Sequence, residues 1–392
     1  MKADIYYLSA MNGVIIDDKL IMVNMLYGIV LEYDLKDFNY TILGYIKLPE
    51  EFDMVRVTSI IPYDGFLYMT LENAHEILRF SRDTKEICVP GGTNGELRMT
   101  SLNRSKAYLH GDVIWSLPYD CSEYILRYDI RSDRLENWKS IEELLTGEDG
   151  WEKDFIVDSC LREGRYIYLV IRNTDMVIVI DMDLESIALH HIGKEYHIKC
   201  IERLGEDLSL TVDDGNFFLR LKEDCSVEKI SYEYMGISPD AELRTVFMDS
   251  GRYVAVMSHD PVVYMLDENT KALGRYDFSE GFRHIINEKR ACILNLIQYE
   301  NYLYYIPFSM NCIVRINLDL LKGEKLSGEL RRQDVFRYYR MERLKSENAF
   351  WAEGDDLNLG EYLEYVACSI AESDKEKAHS QAGELIYHTI CN

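Results

Sequence analysis

A short apolar run closing on a turn residue comes back seven times along this 392-residue chain: VLEYD to Asp34, ILRFS to Ser81, ILRYD to Asp129, VIVID to Asp181, FLRLK to Lys222, VYMLD to Asp267 and IVRIN to Asn317. The end positions lie 47, 48, 52, 41, 45 and 50 residues apart. Self-similarity at such a period restricts a chain to stacked or radially repeated architectures, because one unit is too small to bury its own apolar face.

Each closing run is preceded by another: KLIMV, GFLYM, DVIWS, RYIYLV, EDLSL, RYVAVM and NYLYYI, with a polar hinge between the two. Both are rich in Ile, Val, Leu, Tyr and Phe, too short for helices, and alternating or continuously apolar in the manner of half-buried and buried strands. Upstream lies a further apolar run in most units (NGVII, RVTSII, FIVDSCL, IKCIERL, LRTVFM, CILNLI). Downstream lies a more polar one, such as NYTILGYI, EICVP or ALGRYDF. Four short antiparallel strands per unit and seven units predict an all-β chain folded as a seven-bladed β-propeller. YIYLVIRNTDMVIVIDMD, from Tyr166 to Asp183, is then the pair of middle strands of blade four.

Over roughly residues 12–330 the pattern resembles generic propeller repeats of six to eight blades, and blade four resembles the YVTN type, where a tyrosine-containing strand precedes a VIVID-like strand. The resemblance implies the fold and leaves function open. There are no GH…WD pairs, no double-glycine kelch signature and no SxDxGxTW box. Asp34, Asp129, Asp181 and Asp267 each close the third strand of a unit, where a carboxylate hydrogen-bonds amides of the following turn. They are expected to be turn formers and not catalysts.

A net charge of −25 means that the average surface repels phosphate and anionic lipid, which argues against nucleic acid and membrane surfaces as partners. No apolar run approaches the ~18 residues of a membrane span, and residues 1–16 lack the uninterrupted apolar core of a secretory signal, so a cytoplasmic location is expected. The nine cysteines are scattered without any CxxC, the usage of reduced, mostly buried thiols and not of a disulfide framework or zinc knuckle.

Three segments depart from the repeat. WKSIEELLTGEDGW, in the longest spacing, offers a short helix capped by Ser140 and Glu143 and ended by Gly147. From Arg331 onwards, apolar positions such as Leu359, Leu363, Val366 and Ile370 follow helical spacing, which predicts a C-terminal helical appendage over residues 331–392 beside a propeller over 1–330. Its first part carries Arg331, Arg332, Arg337, Arg340, Arg343 and Lys345 against Asp334 and Glu342, a basic stretch suited either to an anionic partner or, as the favoured reading, to packing against the acidic propeller. Residues 4–9 have strand character, and the charged stretch after Asn317 does not, so the N-terminal run is expected to close the last blade as its outer strand.

In a propeller the middle-strand hinges and the blade-joining loops converge at one mouth of the central channel. The hinges hold Glu72, His75, Tyr119, Asp120, Arg172, Asp175, Asp213, Asp214, His259, Asp260 and Asn311, and the joining loops add Arg98, Trp151, Asp154, His197, Arg283 and His284. A concave site with a few placed polar groups is the default binding site. The expected ligand set is Arg172, Asp175, His259 and Asp260 with aromatic support from Tyr119 or Trp151, taking a small molecule (a sugar or a peptide) or a partner protein. Convergent carboxylates also leave a carbohydrate-active enzyme open, as a glycosidic bond is cut between paired acids. PGGTNGE lacks the Lys-Ser/Thr of a phosphate loop, no GxSxG is present, and the histidines have no ligand spacing, so no catalytic residue, metal or cofactor is assigned.

Overall fold

The computed structural model describes residues 10–25, 28–46, 55–90, 104–148, 152, 155–204, 207–212, 217–222, 226–231, 243–249, 252–257, 262–267, 271–277, 293–307, 312–327 and 330. Residues 7–329 form one compact unit; 1–6 with 330–392 form another, of which only Leu330 is described.

The large unit is a seven-bladed β-propeller. Its strands, β1 to β28, form seven four-stranded sheets, each made of four consecutive antiparallel strands in chain order, spanning residues 13–45, 57–88, 104–140, 157–191, 198–231, 243–277 and 293–327. The first strands are β1 (Gly13–Ile16), β5 (Val57–Tyr63), β9 (Arg104–His110), β13 (Val157–Glu163), β17 (Ile198–Leu204), β21 (Leu243–Asp249) and β25 (Ile293–Tyr299). They touch one another in succession from β1 to β21, and β1 touches β25, so they ring the axis. The period read from the sequence is therefore one blade, and the stretch from Tyr166 splits into β14 (Tyr166–Ile171) and β15 (Met176–Asp181), the middle strands of blade four.

Burial follows position within a blade. Middle strands such as β2 (Lys19–Val23) and β15 are buried along nearly their whole length, because each face of the sheet is covered by a neighbouring blade. Fourth strands such as β16 (Ser186–His191) and β24 (Ala272–Asp277) alternate with solvent-facing residues. The core is thus a series of inter-blade layers. In the layer between blades three and four, Trp115, Leu117 and Ile125 meet Ile167, Leu169 and Ile178.

The aspartates work as expected. Asp34 Oδ1 accepts from Lys36 N at 2.8 Å, Asp129 Oδ1 from Ser132 N at 2.8 Å, Asp181 Oδ1 from the amides of Asp183 and Leu184 at 3.1 Å each, and Asp267 Oδ1 from Lys271 N at 2.9 Å. Asn317 does the same in blade seven. In blade five Lys222 stands at this position and the turn is held by its own backbone, Lys222 N donating to Ser226 O at 2.9 Å.

A feature not visible in the repeat is a β-bulge near the start of the first strand in blades two to seven: pairing skips a residue between Val57 and Ser59, between Val157 and Ser159, between Ile198 and Cys200, between Leu243 and Thr245 and between Ile293 and Asn295, and in blade three opposite Ser116 and Pro118. The bulge re-aims the residue that follows it. Ser59 Oγ accepts from Ala107 N of the next blade at 2.8 Å, and Ser159 Oγ accepts from Ile201 N at 3.2 Å. Small polar side chains placed by bulges thus stitch adjoining first strands together.

The helix α1 (Ile141–Leu145) forms where expected, with Ser140 Oγ accepting from Glu143 N at 3.3 Å and Gly147 at φ +102 beyond its end. It is no surface decoration, because Ile141 and Leu145 are fully buried in the layer of Trp115 and Ile178. The charged stretch after Asn317, not expected to be a strand, forms a regular one, β28 (Lys322–Ser327), paired along its whole length with β27 (Cys312–Asn317) as the fourth strand of the last blade. Alternation of exposed and half-buried residues suits an outer strand even without β-branched side chains. The ring is closed by Tyr299 OH donating to Asp18 Oδ1 at 2.6 Å, by Arg315 Nη1 donating to Leu35 O at 3.1 Å and by Gly13, whose missing Cβ leaves room for Ile306. Residues 4–9 and the expected C-terminal helices lie outside the described residues.

Candidate functional site

The hinge between the two middle strands of a blade lies at the same end of the propeller as the start of the next blade's first strand, and in four blades the two are joined by one hydrogen bond. Val55 N donates to Met25 O at 2.7 Å, Arg104 N to Glu72 O at 2.7 Å, Val157 N to Tyr119 O at 2.7 Å and Ile198 N to Thr174 O at 2.8 Å. Within a blade the hinge is pinned as well: Glu72 N donates to Arg56 O at 2.8 Å and Arg172 N to Ile156 O at 3.0 Å. Hinge backbone is therefore spent on assembly, and hinge side chains stand on a fixed frame.

Of the residues assigned from sequence, Tyr119, Arg172 and Asp175 are described; Trp151, His259 and Asp260 lie outside the described residues. Tyr119 and Arg172 come from adjoining blades and are brought together through residues 156–157, since Val157 N binds Tyr119 O while Ile156 O receives Arg172 N. Tyr119 is half-buried and Arg172 exposed. Asp175 lies on the Arg172 hinge but is turned to His191, its Oδ1 3.1 Å from Nδ1.

The other charges here are mostly paired. Arg56 Nη1 donates to Glu72 Oε2 at 2.9 Å. Arg104 is buried with its Nη1 donating to Tyr124 O at 2.6 Å and Nη2 4.0 Å from Glu123. Burial pulls its pKa down to about 10 while Glu123 opposes the shift, so the guanidinium stays charged at neutral pH. His191 sits between two carboxylates, with Nε2 3.2 Å from Glu148 Oε2. Its pKa is raised, chiefly by the hydrogen bond to Asp175 and then by Glu148, against the effect of burial.

Of the carboxylates assigned to the mouth, Glu72 is engaged by Arg56 and Asp175 by His191, while Asp154, Asp213, Asp214 and Asp260 lie outside the described residues. Among the described residues no group of three or more His, Cys, Asp and Glu is gathered to hold a metal ion, and no helix is long and apolar enough to cross a membrane. The mouth presents the exposed Arg172 and the half-buried Tyr119. Three buried polar atoms there, Asn73 Oδ1, His75 Nδ1 and Asp175 Oδ2, have no hydrogen-bond partner among the described residues. Sequence reasoning missed His191, Glu148 and Arg104, because their roles arise from contacts between blades and carry no spacing signal.

No known protein family matches the sequence, and no curated protein matches it. Solved structures do. YCF48 bound to D1 peptide superposes with a TM-score of 0.56 at 8% identity, covering 80% of this chain and 93% of that one. Streptogramin B lyase gives 0.49 at 13% identity, covering 70% and 84%, and BamB from Moraxella catarrhalis gives 0.48 at 12%, covering 78% and 96%. At such identities the first likeness supports the propeller fold and nothing finer.

Proposed function

We propose that the protein is a non-catalytic binding module whose channel mouth takes a peptide segment of a partner protein. One contrast carries this reading. At the turn after the third strand, geometry and residue type repeat together, as Asp34, Asp129, Asp181, Asp267 and Asn317, because the task there is conformational. At the mouth the same inter-blade hydrogen bond recurs under different residues, Met25, Glu72, Tyr119 and Thr174. Repeated geometry with varied chemistry suits an asymmetric partner, met by an aromatic face at Tyr119 and a carboxylate-binding fork at Arg172. A chain of this fold, YCF48, has been solved with D1 peptide bound. The reading also takes the protein as cytoplasmic, in keeping with the free thiols of Cys88, Cys121, Cys160 and Cys200.

The test is selection of a displayed random peptide library on the purified full-length chain, with the selected peptides re-measured against Arg172→Glu, Tyr119→Ala and, on an outer strand, the exposed Leu273→Asp. Loss of binding of tenfold or more in the first two and none in the third is expected, as one removed anchor contact is worth about 1–2 kcal/mol. Peptides that respond only to Leu273→Asp would move the site to the outer strands.

A further inference from the structure

At the hinge end of blade four one imidazole faces two carboxylates. His191 closes β16, with Nδ1 3.1 Å from Asp175 Oδ1 and Nε2 3.2 Å from Glu148 Oε2. An ionised carboxylate only accepts hydrogen bonds, and a neutral imidazole carries a single N–H. Both contacts are therefore hydrogen bonds only while the ring is a cation. Once it is neutral, one ring nitrogen turns a lone pair towards a carboxylate oxygen, and one of the two contacts is lost.

The two carboxylates are held unequally. Asp175 sits on the hinge between β14 and β15, and its backbone carbonyl receives Ile192 N at 3.0 Å, which ties hinge and strand end together without help from the ring. Its Oδ2 is buried and has no hydrogen-bond partner among the described residues, so this carboxylate depends on the imidazole. The Glu148 side chain is 39% exposed against 12% for Asp175, and water replaces the ring there at little cost. Glu148 stands beyond the C-terminal end of α1, its amide donating to Leu145 O at 3.1 Å. Loss of a proton thus leaves the remaining hydrogen on Nδ1 with Asp175 and releases Glu148.

We propose that His191 is a proton-operated latch: as a cation it ties the segment after α1 to the hinge that carries Arg172, and as a neutral ring it releases Glu148 and leaves that hinge with one positive charge fewer. The charged groups acting on the ring are Asp175, from the hinge, and Glu148, from the segment after α1. Its partner on β15 is the apolar Met176, and His190, the other titratable residue of β16, pairs with Val177 and projects from the opposite face of the sheet. The His191 side chain is 40% exposed, so protons reach it from solvent. Its pKa is raised above the ordinary 6.5, so the latch is shut below that value and opens as pH rises through the higher folded one. The effect on binding rests on the mouth reading: a peptide carboxylate at Arg172 is held more tightly beside a cationic His191 than beside a neutral one. By reciprocity the bound peptide strengthens the hold of His191 on its proton.

The latch is tested without a ligand. In the full chain the His191 ring Cε1–H resonance, assigned by its loss in His191→Gln, is followed by NMR from about pH 5 to about pH 9, and exchange of the Glu148 amide is measured in parallel and corrected for its intrinsic rate. A midpoint above 6.5, lowered in Glu148→Gln, and faster amide exchange above the midpoint are expected. A midpoint at or below 6.5, one that Glu148→Gln leaves unmoved, or amide exchange indifferent to the titration overturns the latch. Its coupling to the mouth is tested with a histidine-free peptide selected there, titrated at about pH 6 and about pH 8.5. Binding to wild type is roughly fivefold weaker at the higher pH, the low end of the usual coupling between two sites, and the ratio falls to near one in His191→Gln. Equal affinities in wild type overturn the coupling and leave the mouth reading intact. Peptides indifferent to Arg172→Glu and Tyr119→Ala refute the mouth reading and the coupling with it, while the NMR titration still decides the latch.

Discussion

His191 Nδ1 stands 3.1 Å from Asp175 Oδ1, and through its other nitrogen the same ring reaches Glu148, so one imidazole on the outer strand of blade four ties a hinge of its own blade to the segment following the helix of blade three. The ring is accessible to solvent, which screens the interaction without removing it.

Its pH dependence has a definite sign. The folded pKa is raised above the ordinary 6.5, so the stability contributed is fully present below that value and is lost as pH rises through the higher folded one. The difference in thermal midpoint between wild type and His191→Gln is expected to be widest near about pH 5.5 and to close by about pH 8.5. Scanning calorimetry across that range checks it, and a gap that widened with pH would contradict the arrangement.

Leu145 decides whether α1 is structural. It is fully buried with Ile141 against the Trp115 and Ile178 layer, and Leu145→Ala should cost about 2–5 kcal/mol, the usual range for a buried leucine left as a cavity. A solvated helix on a loop would lose less than about 0.5 kcal/mol on the same change. Urea unfolding at constant slope distinguishes the two.

Ser59 tests the stitching of first strands. Its hydroxyl is buried and accepts the Ala107 amide at 2.8 Å, so Ser59→Ala leaves that amide without its acceptor and should cost about 1–3 kcal/mol. Hydrogen exchange of the Ala107 amide should accelerate in the variant by more than that of the Leu126 amide, which lies farther out in the same blade.

Much of the architecture was legible because it repeats. Asp181 and its counterparts announce a turn whose hydrogen bonds are local, between residues two to four apart in sequence, and β15 announces burial on both faces by its unbroken VIVI. β28 carries no such signal, for the opposite reason. A fourth strand faces solvent, so KGEKLS is charged and glycine-bearing, and only its pairing with β27 identifies it. The mouth was legible as a set of hinges but not as a set of contacts. Asp175 and Arg172 share a hinge, yet the partner of Asp175 lies 16 residues on, in a strand that the repeat marks as outer and unremarkable.

Fold class, blade number, the turn aspartates and the helix capped by Ser140 can be read from the chain alone, since each rests on interactions between residues near in the chain. Invisible there are the bulges that aim Ser59 and Ser159 across blade boundaries and the imidazole held between Asp175 and Glu148. Closing seven sheets into a ring brings together residues that are far apart in sequence, and the distances across that ring are set by the packing of whole blades, which no local spacing in the chain records.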